Sequence, residues 1–480
     1  MKLTFWGAAR QITGSMYLLE LDDDYRILVD CGLDMEKERL KKRENDTTTN
    51  RLGAIFPFEA SMINVVILTH AHIDHSGNLP NLIREGFEGQ IICTAATQSL
   101  TKLLLHDSAM LHQRRLKKIK DKSFNIKAHT SKNKENMAEW YLPKHVEDTE
   151  EHFFALQFNR RFQIKKGLWL TLIPTGHLLG AANVFLEVEE NKKIKKILFS
   201  GDLGRKNYPL LPDPQQPPQA DYLLCETTYG NRKHKTQGSP EEEVFQIIQE
   251  ACVKIPGRLI IPAFSVGRTQ ALLYTLHKLS VQGKLPPIKI FSDSPLAHQS
   301  TRIYEHYVGI LNEEAQDFFK THKNLFDFEN LIYVEDLKTS KLVANHAEPC
   351  IIISSSGMIQ GGRIEHHVKT NIQNPYATIL MIGFAAEGTL GHQLLQGEKT
   401  LEIGEKKLPI LANIRYIDIF SGHGDQDDLL NFVKQQNTNL LKQIFLIHGE
   451  EIAMQDFKNL LAEHRYEQVC IPQKSETFEL

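Results

Sequence analysis

Apolar residues fall along this chain in short runs closed by Gly, Pro or Asp, with helical spacing confined to a few longer stretches. The opening runs KLTFWGA, GSMYLLEL and YRILVDCG read as strands joined by turns, since β-branched and aromatic positions dominate and a turn residue ends each. INVVILT is a continuous apolar run and reads as a buried strand, LPNLIREGF as the start of a helix, and QIICTA as another strand. MEKERLKKRENDTTTN is charged and polar and reads as a loop or a frayed helix. Residues 97–160 read as helical and strongly charged, and the basic run HQRRLKKIKDK as a solvated helix face. Strands return at LWLTLIP, NVFLEVEE, KKILFSGD and DYLLCET.

The rhythm changes near residue 209, where PLLPDPQQPPQ breaks regular structure. Beyond Glu226, helices such as PEEEVFQIIQEACVKI and GRTQALLYTLHKL alternate with the strands RLIIPAF, PIKIFSDSP, CIIISSSGM and ATILMIGF. Alternation of this kind predicts a mainly parallel sheet with helices on its faces. The tail returns to short strands, LANIRYIDIFSGHGD and KQIFLIHGE, before a last helix. The expected organisation is an α/β chain in which one domain interrupts another: 1–208 as the first part, 209–390 as the insertion and 391–480 as the completing part.

Composition bounds the function without deciding it. A chain of 480 residues can bury a large core. Its net charge of −3 announces no global basic field, so a nucleic-acid groove would have to be locally basic. The six cysteines are scattered, form no CxxC and sit mostly in apolar runs, which points to reduced, buried thiols. No apolar run approaches membrane-spanning length and the N-terminus lacks a signal pattern, so a cytoplasmic protein without a membrane partner is expected.

The chemistry concentrates in LTHAHIDHSGNLP, where His70, His72, Asp74 and His75 fall between a strand and a helix. A tetrahedral zinc needs three or four N, O or S ligands, and hydrolytic sites keep one position for water. His70 and His72 alternate and can face one point, whereas Asp74 and His75 follow at another angle, which suits a second ion. Two ions need further ligands at strand ends beside Gly, and His177 in IPTGHLLGA, Asp202 in LFSGDLG and His423 in FSGHGD fit. Asp202 is the natural bridge, since a carboxylate can ligate both cations.

The order Asp30, His70-x-His72-x-Asp74-His75, His177, Asp202 resembles motifs one to four of the metallo-β-lactamase superfamily. CETTYGNR with Glu226, AEGTLGHQL with His392 and FSGHGD with His423 resemble motifs A, B and C of its β-CASP group. IPAFSVGRTQALL, SSSGMIQGGR and LIHGEE extend the likeness along essentially the whole chain. The pattern is most similar to bacterial and archaeal relatives of the nuclease subunit of the cleavage and polyadenylation specificity factor. The resemblance implies an αββα sandwich interrupted by a β-CASP domain, and two Zn2+ per chain. One ion would be held by His70, His72, His177 and Asp202, the other by Asp74, His75, Asp202 and His423, with Asp30 orienting ligands. It also implies a phosphodiesterase acting on single-stranded RNA, because a histidine at motif C accompanies RNA substrates where DNA-processing members carry valine.

Further roles follow from the same reading. His392 is expected to protonate the leaving ribose oxygen, oriented by a hydrogen bond to Glu226. Arg268, at a helix start, and the turn Ser354-Ser355-Ser356-Gly357-Met358 are expected to grip phosphate. His448, in LIHGEE, is expected to be a neighbouring or structural histidine rather than a ligand. The chain ends soon after the last sandwich helix and lacks a GxxG signature ahead of the fold, so no large processing complex is expected; a homodimer is compatible with the sequence. The rival readings are a DNA nuclease of the same group, a non-nuclease hydrolase on the same sandwich, and a non-catalytic scaffold. Endonuclease action is expected slightly ahead of 5′-to-3′ exonuclease action.

Overall fold

A computed structural model describes residues 1–34, 55–123, 140–235, 238–403 and 406–480. MEKERLKKRENDTTTN, read above as loop or frayed helix, lies outside the described residues. The chain divides into two compact units: Met1–Arg205 with Pro214–Lys233 and His423–Leu480, and Lys206–Asp213 with His234–Gly422.

The first unit is built on two seven-stranded sheets. One runs in the order Thr477–Glu479, Lys2–Phe5, Tyr17–Glu20, Arg26–Val29, Val65–Ile67, Gln90–Thr94, Phe153–Leu156. The other runs Val469–Cys470, Gln443–Ile447, Tyr222–Glu226, Lys193–Phe199, Ala182–Glu190, Leu168–Pro174, Phe162–Lys165. The two-residue period of a strand explains why two apolar faces are needed. Ile27, Val29, Val65 and Ile67 join a central core with Leu170, Val184, Ile197, Phe199, Leu224 and Phe445 from the second sheet. Leu28 and Val66, one position away, join an outer core with Leu79, Leu82, Leu105 and Val146. Likewise Leu223 and Cys225 meet Leu429, Val433, Met454 and Phe457, while Leu224 between them points to the centre. The result is helix on sheet on sheet on helix, as expected. A one-residue slip of any of these strands would exchange its two faces, so the apolar pattern also fixes register.

The second unit holds a six-stranded sheet, Leu331–Tyr333, Lys289–Asp293, Cys350–Ser354, Arg258–Pro262, Ala377–Met381, Asn413–Tyr416, in which every pairing is parallel. Continuous runs such as Ile351-Ile352-Ile353 are buried on both faces, as a parallel sheet with helices on each side requires.

The expected domain boundaries need correction. Tyr222–Glu226 pairs in parallel with both Lys193–Phe199 and Gln443–Ile447, so it belongs inside a sheet of the first unit. Asn413–Tyr416 pairs with Ala377–Met381 and extends the sheet of the second. Residues 214–233 and 391–422 therefore lie across the division from where breaks at 208/209 and 390/391 put them. Proline density marks a turn-rich crossing, but strand pairing decides membership. The basic run HQRRLKKIKDK falls on the helix Ala95–Ser123, with Arg114, Arg115 and Lys117 exposed, in keeping with a solvated face. Of the six thiols none forms a disulfide and five are buried.

Candidate metal centre

Parallel strands bring their C-terminal ends to one edge, and all the candidate residues of the first unit except His423 lie at or just after strand ends. Asp30 follows Arg26–Val29, and Thr69 with the histidine loop follows Val65–Ile67, its parallel neighbour. In the other sheet Asp202 follows Lys193–Phe199, Glu226 closes Tyr222–Glu226, and His448 follows Gln443–Ile447, all mutually parallel. His177 comes three residues after Leu168–Pro174.

Backbone bonds fix the loop. Ser15 N–H donates to Asp74 O (2.8 Å), Cys31 N–H to His75 O (2.7 Å) and Leu33 N–H to Ile73 O (3.0 Å). The approach is so close that a Cβ on Gly32 would stand 1.7 Å from Asp74 O, which explains glycine there. Asp30 and His448 hold left-handed backbone (φ +60° and +50°), an uncommon conformation for residues with a Cβ and one that clusters at functional sites. The Asp30 carboxylate accepts from Thr69 N–H (2.8 Å), Thr69 Oγ1–H (2.9 Å) and His75 Nδ1–H (2.7 Å). That last bond fixes the His75 tautomer and turns Nε2 towards Asp202 Oδ1 at 3.3 Å.

Four donors converge first. His70 Nε2 lies 3.1 Å from His72 Nδ1, His177 Nε2 lies 3.2 Å from the same atom, and both Nε2 atoms lie 3.5 Å from Asp202 Oδ2. Ligands held at about 2.0–2.1 Å by one tetrahedral ion stand about 3.3 Å apart, so this spacing fits a zinc-like cation. Burial pushes the His70 imidazolium well below its usual range, with His75 adding to it, and brings His72 to about 4. Neutral imidazoles are the ligand form.

A second group holds Asp74, His75 and His448. His448 Nε2 is 3.4 Å and His75 Nε2 3.9 Å from Asp74 Oδ2, while His448 Nδ1 is 3.6 Å from Asp202 Oδ1. Asp202 thus turns Oδ2 to the first group and Oδ1 to the second. Its Oδ1 is buried without a hydrogen bond among the described residues, and coordination to a cation would satisfy it. Burial alone would raise Asp202 and Asp74, but the histidines win: His448 and His75 hold Asp202 well below the carboxylate range, and Asp74 is held down by its hydrogen bond to His448 and by the charge of His75. Conversely, burial would lower His75 and His448, but for each Asp202 leads the anions that raise it.

Two expectations are corrected by this geometry. His448, expected to be a neighbouring histidine, takes the position beside Asp74 and His75 that His423 was expected to fill. The signal was present: His448 follows an apolar strand and is flanked by Gly449, as Gly176 flanks His177 and Gly201 flanks Asp202. His423 instead joins Glu226, with Nδ1 3.1 Å from Glu226 Oε1 and 3.9 Å from Asp202 Oδ2. Glu226 is fully buried, accepts from Leu203 N–H (2.7 Å) and Thr228 N–H (3.1 Å), and so presents a fixed carboxylate to the partly exposed His423 ring. The histidine that Glu226 engages is therefore His423 and not His392. His392 belongs to the second unit, on the helix Leu390–Leu395, with its ring Nε2 3.3 Å from Gln396 Nε2.

The residues expected to grip phosphate also lie in the second unit. Arg268 opens the helix Arg268–Val281, is 9% exposed, and lays its guanidinium 4.6 Å from the Phe264 ring centre. Gly357 abuts the same ring, so Arg268 and the serine turn are neighbours through Phe264. Ser355 Oγ is 3.0 Å from Ser294 Oγ, and Ser356 Oγ bonds both N–H and C=O of Gln360. Ser356 thus stabilises its own turn.

Known protein families match in three segments: the metallo-β-lactamase superfamily over residues 10–236, the β-CASP domain over residues 269–394, and a Zn-dependent metallo-hydrolase RNA specificity domain over residues 407–472. A ribonuclease of Thermus thermophilus is 32% identical to this chain over 462 residues, covering 96% of each protein. The chain belongs to the metallo-β-lactamase superfamily, in its β-CASP group. Other relatives include an RNase J-like protein of Methanocaldococcus jannaschii, 27% identical over 93% of this chain and 92% of its own. The transcription termination factor FttA of Methanosarcina mazei is 27% identical over 95% of this chain and 68% of its own length. Membership in this metallo-hydrolase superfamily accords with the divalent-metal donor sets described above. Among the described residues no helix is long and apolar enough to cross a membrane.

Proposed function

We propose that the protein is a zinc-dependent ribonuclease that hydrolyses phosphodiester bonds in single-stranded RNA. The observation that carries this reading is Asp202, whose two oxygens face separate donor groups and so suit a bridge between two ions. His70, His72, His177 and Asp202 would hold one zinc, and Asp74, His75, His448 and Asp202 the other, with Asp30 fixing the His75 ring. Two zinc ions supply Lewis acidity towards phosphoryl oxygens and acidify water.

The chain's own groups supply the proton. A departing ribose alkoxide is a poor leaving group, and a positioned donor contributes about a hundredfold or more. His423 suits that role, since Glu226 Oε1 faces Nδ1 and fixes the ring, and Nε2 would be the atom to carry a proton to the leaving oxygen. In the second unit Arg268, Ser355 and Gly357 are proposed to receive backbone phosphates, a weaker assignment for Ser356, whose hydroxyl is already engaged. A small-molecule hydrolase on the sandwich alone finds no support in the β-CASP match over residues 269–394. Elemental analysis of purified protein should give close to two zinc per chain, together with hydrolysis of an unstructured RNA; active, metal-replete enzyme with no zinc would sink the metal assignment.

A further inference from the structure

Beneath the two donor groups lies a small internal cavity of about 10 Å³, lined throughout by buried residues that include Tyr17, Val29, Asp30, His75, Asp202 and His448. That is about the room one water needs, and a buried water needs two to four polar partners. The partners are present. Tyr17 is 3% exposed and its hydroxyl has no hydrogen bond among the described residues. Bound zinc would account for Asp202 Oδ1, but nothing proposed so far accounts for the phenol. An unpaired buried hydroxyl is costly, which makes it a feature to explain.

The sequence places Tyr17 here by strand register. Tyr17 opens the strand Tyr17–Glu20 and pairs with Phe5 on one side and Val29 on the other, so it sits beside the residue preceding Asp30. Its ring is held in the sandwich core, edge-on to Phe5 at 6.0 Å and tilted to Phe199 at 6.2 Å. Burial raises the phenol well above its ordinary range, against a lowering by the nearby Ser15 hydroxyl, which approaches it without a full hydrogen bond, so the group is a neutral donor. On the acceptor side, Asp30 Oδ1 takes one hydrogen bond, from Thr69 N–H, and keeps a lone pair.

We infer that Tyr17 is a positioning residue for the metal centre: its hydroxyl donates to a single water in this cavity, and that water donates to the Asp202 and Asp30 carboxylates. The bridge fixes how Asp202 divides its oxygens between the two donor groups. Groups behind metal ligands typically change metal affinity ten- to a hundredfold when removed.

The inference rests on the zinc reading above. Its test is Tyr17→Phe, which removes one oxygen and keeps the ring against Phe5 and Phe199. Zinc-loaded wild type and variant are titrated with a chelator and the retained zinc is measured, and the zinc-free proteins are compared by thermal melting. The expected result is about tenfold weaker retention in the variant, with zinc-free melting close to wild type because the ring keeps its packing against Phe5 and Phe199. Retention within twofold of wild type overturns the inference, as does weaker retention accompanied by a lower zinc-free melting temperature, which would mark a packing role. Wild type that holds no zinc overturns the functional reading and this inference with it. Wild type that holds zinc beside an equally retentive Tyr17→Phe overturns this inference alone.

Discussion

Asp202 and the histidines around it carry the residue-scale argument, because each imidazole there meets a different balance of burial and charge. Exchanging the expected roles of His423 and His448 gives a direct test. His448→Ala removes a donor from the Asp74–His75 group and should leave about one zinc per chain. His423→Ala should keep both ions and lose turnover by about a hundredfold or more. Zinc content beside RNA hydrolysis rates separates the two, and zinc loss in His423→Ala with none in His448→Ala would return the ligand role to His423. The zinc-free protein should also show a stability maximum near the ordinary histidine pKa of about 6.5. His75 and His448 are raised, so the stability they contribute is present below that value and lost as pH climbs through their folded pKa. His70 and His72 are lowered, so protons favour the unfolded chain and stability falls as pH drops below it. Melting temperatures across pH in the presence of chelator measure this, and a monotonic profile counts against it.

At the scale of elements, the centre depends on short loops fastened to strand ends rather than on helices. The strand Arg26–Val29, its Asp30 and the following Gly32 form the floor on which the loop from His70 to His75 rests. Gly32→Ala would force a methyl against Asp74 O, so loop or floor must shift. The expected cost is about 1–3 kcal/mol in denaturant unfolding of the zinc-free protein, with reduced zinc uptake at the Asp74 group. An unaltered midpoint and full zinc content would show the loop to be more yielding than its hydrogen bonds imply. Strands were well legible from sequence because their apolar runs are buried on two faces, as with Val65, Val66 and Ile67. Membership of a sheet was less so: Tyr222–Glu226 stands just after a proline-rich stretch, and only its pairing with Gln443–Ile447 assigns it to the first unit.

At the scale of the whole molecule, the kind of cut is the open prediction. A circular single-stranded RNA should be cleaved alongside the same RNA made linear with a 5′ monophosphate, as expected of an endonuclease; an intact circle with stepwise loss from the linear 5′ end would reverse that preference. The RNA expectation survives the exchange of histidines, since the last ligand position holds a histidine in either assignment. What the sequence determined by itself was the chemistry and its addresses: His, Asp and Glu at the ends of apolar strands beside Gly, in the order of a β-CASP hydrolase. It could do so because strand ends and turn residues are local signals. Which histidine answers which carboxylate was decided only in three dimensions. Asp74 meets His448 across 374 positions and Glu226 meets His423 across 197. Both pairings hang on the parallel register of Gln443–Ile447 beside Tyr222–Glu226 and on the turn before the helix Gln426–Lys434. No periodicity in the chain encodes a neighbour that distant; the order of strands in the sheet does.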